Sequence, residues 1–335
     1  MSDRERLIKQ FDALNVENFT EFALSLFRYQ SKYNLLYKKF IKALKIDPLV
    51  IENISDIPFL PIDFFKRHQV VTTSEATVNF EAVFESSGTG SGTTSKHYLP
   101  SLNHYIKNAE KIFQQEYGEL HDYIILALLP SYLERTGSSL VVMVDDFIKK
   151  TESPHSGFYL NDLNSLVNKV KQLKSENTRK KIIIWGVSFA LLDLAENYKC
   201  DFSDCIIMET GGMKGRRKEI VREELHSILC EGLKVNEIHS EYGMTELLSQ
   251  SYSTGNGIFK PSNSMKILIR EVNDPFDIKE YATRTGGINV IDLANIDSCA
   301  FIETQDVGKV NPDGSFQVLG RFDNSDIRGC NLMVQ

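Results

Sequence analysis

Ten consecutive residues from Ser86 to Ser95 are serine, threonine or glycine, and a lysine follows them at Lys96. Such a loop (Ser86, Ser87, Gly88, Thr89, Gly90, Ser91, Gly92, Thr93, Thr94) offers hydroxyls and closely approachable backbone N–H groups, and it ends in a cation. That donor set suits an oligophosphate. No Gly-Lys-Ser/Thr stands at the Walker spacing, so the loop is not a P-loop. The alternative is a solvent-exposed connection. The strand pattern at Phe80–Phe84 and the trailing Lys96 favour phosphate binding.

Two further segments carry candidate chemistry. In His239-Ser240-Glu241-Tyr242-Gly243-Met244-Thr245-Glu246, Tyr242 offers a stacking face, Thr245 a hydroxyl for a phosphate oxygen and Glu246 a hard oxygen for Mg²⁺. Taken alone, the same residues could be any turn entering a helix. In Glu303-Thr304-Gln305-Asp306-Val307-Gly308, followed by Gly320-Arg321-Phe322-Asp323, Asp306 could bind both hydroxyls of a ribose, although an aspartate before a glycine turn is usually structural. His97, His239 and His68 are candidate acid–base groups, and His239, just ahead of Tyr242, is the first to mutate.

These segments need elements to hold them. Apolar residues at helical spacing (Leu7, Ile8, Phe11, Leu14, then Phe19, Phe22, Ala23, Leu26, Phe27) predict helices within residues 1–45, with Asn18 or Thr20 as a cap for the second. The run Ile57-Pro58-Phe59-Leu60-Pro61-Ile62 must be extended around its prolines. Strands are expected at Phe80–Phe84, Tyr123–Leu129, Leu140–Val144, Lys181–Trp185 and Cys205–Met208. Helices are expected at Leu160–Leu173, Phe189–Tyr198 and Glu219–Leu229. This alternation predicts an α/β fold with a largely parallel sheet. From Gly257 the pattern changes to short strands, with a turn at Asn311-Pro312-Asp313-Gly314.

The bulk properties narrow the function classes. The chain has 335 residues, long enough for one large domain or two ordinary ones. A net charge of −7 argues against nucleic-acid or membrane-surface binding. No apolar run is long enough to span a bilayer, and the charged stretch Met1–Arg6 lacks the apolar run expected of a signal peptide. Five cysteines without a Cys-x-x-Cys spacing disfavour a disulfide framework or zinc site and fit a cytoplasmic protein.

In their order and spacing, the three segments resemble the motifs of the adenylate-forming superfamily of acyl-CoA synthetases, luciferases and peptide-synthetase adenylation domains. A closer resemblance, to the acyl-protein synthetase (LuxE) family, covers nearly the whole chain. It rests on Ile57–Ile62 with Phe65-Lys66, Ser95-Lys96-His97-Tyr98, Glu209-Thr210-Gly211-Gly212-Met213-Lys214-Gly215-Arg216, residues 240–250 and the tail from Gly320 to Cys330. The resemblance implies a domain of the large N-terminal type found in adenylate-forming enzymes, with mixed and parallel sheets flanked by helices plus a small β-rich subdomain. Within a single domain over 1–335, the expected regions are helical (1–55), an α/β core (56–256), β-rich (257–320) and an acceptor tail (321–335).

The resemblance also implies roles. The Ser86–Lys96 loop would grip the phosphates of ATP, Gly211 and Gly212 would border the adenine, and Tyr242, beside Gly243, would stack on it. Thr245 and Glu246 would serve phosphate and Mg²⁺, and Asp306, with Arg321 close by, would hold the ribose. Larger relatives continue past this point into a mobile domain with a catalytic lysine, expected to be absent here. A substitute lysine would be Lys96 or Lys214, unless none is required.

With that domain gone, an internal acceptor becomes the expectation. A thiolate is the best nucleophile among side chains for a reactive acyl-adenylate. Cys330 sits on a polar, glycine-flanked tail near Arg328, whereas Cys205 and Cys230 lie inside apolar patterns and read as packing residues. The expected activity is ATP-dependent activation of a carboxylic acid, a fatty acid by family likeness, with transfer to Cys330 for a reductase or acyltransferase partner. The alternatives are an acid–CoA or acid–carrier-protein ligase and a non-catalytic nucleotide-binding module of a reductase complex.

Overall fold

The computed structural model describes residues 1–73, 78–86, 94–129, 137–198, 200–213, 217, 220–280 and 282–322. Three helices open the chain: α1 (Asp3–Asp12), α2 (Phe19–Tyr33) and α3 (Leu35–Ala43). Ser2 and Glu5 form a reciprocal capping box at the start of α1. Asn18 stands at the cap position of α2, but its carboxamide accepts from Asn15 N and donates to Ala13 O rather than capping the helix. Next come β1 (Leu60–Pro61) and the short α4 (Phe64–Arg67). The hairpin β2 (Ala82–Glu85) and β3 (Lys96–Leu99) then leads into α5 (Leu102–Tyr117).

Strands and helices alternate after that. They run β4 (Tyr123–Leu128), α6 (Ser139–Lys150), β5 (Gly157–Phe158), α7 (Leu163–Ser175), β6 (Lys181–Val187), α8 (Ser188–Asn197), β7 (Cys205–Thr210), α9 (Arg222–Leu233) and β8 (His239–Tyr242). The antiparallel β9 (Ser251–Ser253) and β10 (Lys260–Pro261) follow. Five strands come last: β11 (Met265–Arg270), β12 (Ile278–Lys279), β13 (Ala282–Asp292), β14 (Phe301–Val310) and β15 (Phe316–Arg321).

Leu140–Val144, expected as a strand, is helical and belongs to α6. Its valines suggest a strand, but Ser138 accepts from Val141 N as the helix cap, and Val141, Val144 and Phe147 are buried at helical spacing. Asp145–Lys149 and Asp146–Lys150 add ion pairs one turn apart.

The chain divides into two compact units, where the sequence suggests one domain of successive regions. The larger runs from Glu75 to Ser262 and includes Phe65–Gln69. Its sheet has the order β10-β9-β8-β7-β6-β4-β5, and β5, β4, β6, β7 and β8 are parallel. The near-continuous apolar runs Tyr123–Leu128 and Ile182–Trp185 match strands buried on both faces. After β4 the chain visits the edge at β5, then returns to the other side of β4 at β6. In such sheets ligands bind outside the carboxyl ends of the strands.

The other unit joins Met1–Phe64, a short stretch from Val70 and the described residues from Asn263 on. Its sheet runs β1-β14-β13-β11-β12, with β15 on β14. Buried side chains tie the early helices to it. Gln30 Nε2 donates to Asn295 O at 2.7 Å and its Oε1 accepts from Ala300 N at 2.9 Å. Asn34 caps α3 through Tyr37 N and donates to Ser298 O at 3.1 Å. Phe27, Tyr37 and Phe59 pack around Phe301. Among the described residues no helix is long and apolar enough to cross a membrane.

Candidate active site

The expected strand before the glycine loop is β2, and Lys96 begins β3, so the loop is the connection of an antiparallel hairpin with Glu85 paired to Lys96. The hairpin closes tightly at its base. Ser86 N donates to Ser95 O at 3.0 Å, and Ser95 N donates to Ser86 Oγ at 2.9 Å. Residues 87–93 lie outside the described residues, as do Lys214 and Cys330. Lys96 Nζ is 3.1 Å from Glu85 Oε1, and both side chains are nearly half exposed.

The next residue, His97, is 1% exposed and packs edge-on against Phe65. A carbonyl can only accept, so His97 Nδ1 carries the proton in its 2.9 Å contact with Thr245 O. Burial pushes the His97 pKa down to about 4, with the bond to Thr245 opposing, so the ring is neutral. The base of the serine- and glycine-rich hairpin is thereby tied to the Tyr242–Glu246 segment. From α5, Asn108 Nδ2 holds the residues just after that segment by donating to Leu248 O at 2.9 Å and Ser249 Oγ at 3.1 Å.

That segment leaves the carboxyl end of β8, beside the end of β7, where Thr210 registers with Glu241. Gly211 and Gly212 follow β7 directly. Gly211 has φ +72°, a left-handed turn that favours glycine. A Cβ on Gly212 would meet no described atom within 4 Å. Thr245 and Glu246 are both placed at this end, and Glu246 is 6% exposed. Tyr242 is buried, with its ring 5.9 Å from that of Phe259. Among the described residues no three His, Cys, Asp or Glu side chains cluster to hold a metal ion.

His239 is placed elsewhere. It starts β8, at the end of the strand opposite Gly243. Its Nδ1 is 3.0 Å from Tyr117 Oη, and burial lowers its pKa despite Glu237 and Glu116. The catalytic role expected for His239 finds no support in this placement. His68 is exposed.

In the other unit, Asp306 on β14 registers with Arg321 on β15, bringing the two parts of the third segment together. Asp306 Oδ1 is 3.3 Å from Arg321 Nε. Beneath them Arg270 is 6% exposed and donates to Ile288 O, Asn289 Oδ1 and Thr304 O at 2.9, 2.8 and 2.6 Å. Burial lowers the Arg270 pKa, opposed by Glu303 and Asp306.

A polar network escaped the sequence reading. Glu209, near the end of β7, is 2% exposed and meets Ser188, Arg222 and His226. Burial alone would raise its carboxyl, but His226, Arg222 and Ser188 hold it below the usual range. A carboxylate closing an apolar strand run was the available signal.

The hairpin that carries the serine- and glycine-rich loop is tied to a Tyr-Gly-x-Thr-Glu turn at the carboxyl ends of parallel strands, the arrangement expected of the large N-terminal-type domain of adenylate-forming enzymes. Solved structures share this fold. ATP-bound MatB from Rhodopseudomonas palustris superposes with a TM-score of 0.53 at 14% identity, over 75% of this chain and 50% of that one. O-succinylbenzoate coenzyme A synthetase from Bacillus subtilis, in complex with AMP, gives 0.50 at 19% identity, over 75% and 52%. At such identities the likeness shows the fold, and this chain spans about half the length of those structures. No curated protein matches the sequence. The chain belongs to the LuxE family of acyl-protein synthetases, whose family model matches residues 13–335.

Proposed function

We propose that the chain activates a carboxylic acid with ATP and holds the acyl group as a thioester on Cys330. The observation that carries this reading is the His97–Thr245 hydrogen bond, which couples the hairpin of the serine- and glycine-rich loop to the turn bearing Glu246. Membership of the LuxE family supports the acid and the protein acceptor.

In the first step a carboxylate oxygen attacks the α-phosphorus of ATP, and the bond to pyrophosphate breaks. Loop N–H groups and hydroxyls, with Lys96, stabilise the charge that develops on the phosphoryl oxygens. Mg²⁺, when bound, neutralises phosphate charge, and Glu246 is the residue to hold it. Gly211 and Gly212 border the adenine and Tyr242 shapes its pocket, while Asp306, paired with Arg321, takes the ribose hydroxyls. In the second step the Cys330 thiolate attacks the acyl carbonyl and AMP leaves. A fatty acid is the substrate the family favours, and a reductase or acyltransferase is the partner that receives the acyl group.

The test is pyrophosphate exchange and acyl labelling in the wild type and in Cys330→Ser. The variant is expected to exchange pyrophosphate normally and to retain no thioester-bound label. Hydroxylamine-labile label on the variant would reject Cys330 as the acceptor. Thioester formed on added CoA or a carrier protein, regardless of Cys330, would make the chain an acid–CoA or acid–carrier ligase. No exchange with any acid would leave a nucleotide-binding module.

A further inference from the structure

One buried carboxylate connects the carboxyl ends of β6, β7 and β8. Glu209 registers with Gly186 on β6 and with Ser240 on β8. Its Oε2 accepts from Arg222 Nη1 at 3.1 Å, and the same nitrogen lies 3.1 Å from Ser240 Oγ. His226, one turn further along α9, is 3.9 Å from Glu209 Oε2 and 3.5 Å from Ser240 Oγ. The other carboxylate oxygen accepts from Ser188 Oγ, at the first residue of α8. Ser188 Oγ also lies 3.2 Å from the carbonyl oxygen of Gly211.

A serine hydroxyl has one proton, whereas an ionised carboxylate and a peptide carbonyl only accept. The proton of Ser188 is therefore shared between Glu209 and Gly211, with the charged oxygen taking the shorter bond. This arrangement orients the hydroxyl and fixes the carbonyl beside it. Gly211 needs such a restraint, because a glycine with φ +72° has no side chain to pack and many backbone states open to it. A buried ion pair is a poor source of stability compared with apolar packing. Its value here is positional: it lets one side chain set the spacing of three strand ends and a turn.

We propose that Glu209 is a positioning residue for the nucleotide, acting through Ser188 to fix the Gly211 turn. This rests on the reading that Gly211 and Gly212 border the adenine. Arg222 keeps the carboxylate in place, and neither Glu209 nor Ser188 takes part in bond making.

The experiment compares Ser188→Ala, Glu209→Gln and the double variant with the wild type. ATP affinity is read by calorimetric titration, KM and kcat by pyrophosphate exchange, and folding by thermal melting. Each single variant should weaken ATP binding and raise KM for ATP about tenfold, with kcat within about threefold of wild type. Because both residues act on the same turn, the double variant should bind ATP no more weakly than the worse single variant. Unchanged affinity in Ser188→Ala, or losses that add in the double variant, would overturn the proposal. Should Glu209→Gln fail to fold, Ser188→Ala alone decides, since it removes a single oxygen atom. Wild-type protein that binds no ATP would instead reject the functional reading, and the positioning role with it.

Discussion

The imidazole of His97 donates from Nδ1 to the carbonyl oxygen of Thr245 across 148 residues of sequence. A neutral, buried ring thereby joins the strand that follows the serine- and glycine-rich loop to the turn that carries Glu246. This contact makes the assembly of the site sensitive to the protonation of one side chain.

Stability should fall as the pH drops from about 6.5 toward 4. Below the ordinary pKa of 6.5 the unfolded chain takes up a proton on His97, while the folded ring stays neutral until about 4. The contribution is complete above 6.5 and lost on acidification, by roughly 3 kcal/mol at most. Denaturant titrations at several pH values measure it. A His97→Gln variant, which keeps a donor but does not titrate, should lose this part of the slope, and an unchanged slope would refute the assignment.

Lys96→Met should separate stability from activity. The Lys96–Glu85 pair is close to half exposed on both sides, so its loss should change stability by no more than about 1 kcal/mol. If Lys96 stabilises the phosphoryl oxygens, pyrophosphate exchange should fall at least about tenfold. Equal small changes in both would reduce Lys96 to a surface cation.

Glu246→Gln keeps the shape of a 6% exposed side chain and removes its charge. Pyrophosphate exchange should drop about a hundredfold or more, while AMP binding measured without divalent metal changes little. Wild-type exchange in the variant would exclude Glu246 as the metal ligand.

Gly308→Ala tests the hairpin that pairs Asp306 with Arg321. An alanine Cβ there would lie 2.2 Å from the Gln317 carbonyl oxygen, where β14 and β15 shift register. Backbone must move, so a loss of about 2–3 kcal/mol is expected, with a raised KM for ATP. Gly314→Ala, in the turn of the same hairpin at φ +83° with no described atom within 4 Å, should cost only about 1 kcal/mol and leave KM unchanged. Thermal melts and exchange kinetics on the pair distinguish register from turn strain.

The parallel strands were legible because Tyr123–Leu128 and Ile182–Trp185 are short, near-continuous apolar runs between helical patterns, the composition of strands buried on both faces. The turn at Asn311–Gly314 was legible from its residue types, and Gly314 adopts the positive φ such turns require. Leu140–Val144 misled because β-branched residues favour strands, while the cap at Ser138 and the paired charges lie outside those five residues. Two of the motifs lie on segments that the bond between His97 and Thr245 ties together. Their mutual contacts could not be read, since His97–Thr245 and Ser188–Glu209 join residues far apart whose types, taken singly, say little. His239 shows the reverse: proximity in sequence to Tyr242 suggested a shared role, yet an extended strand separates the two by about 10 Å.

The helical unit that Gln30 pins to Ala300 has a consequence for biosynthesis. Its two halves are 270 residues apart. At ribosomal speeds of about 5–20 residues per second, α2 waits on the order of tens of seconds for the strands that will cover it. During that time Phe27 lacks its contact with Phe301, and Gln30 lacks its bonds to Asn295 and Ala300, so part of the buried face of α2 stays uncovered until the last strands emerge. Slow translation of the last third should therefore increase aggregation of the full-length protein.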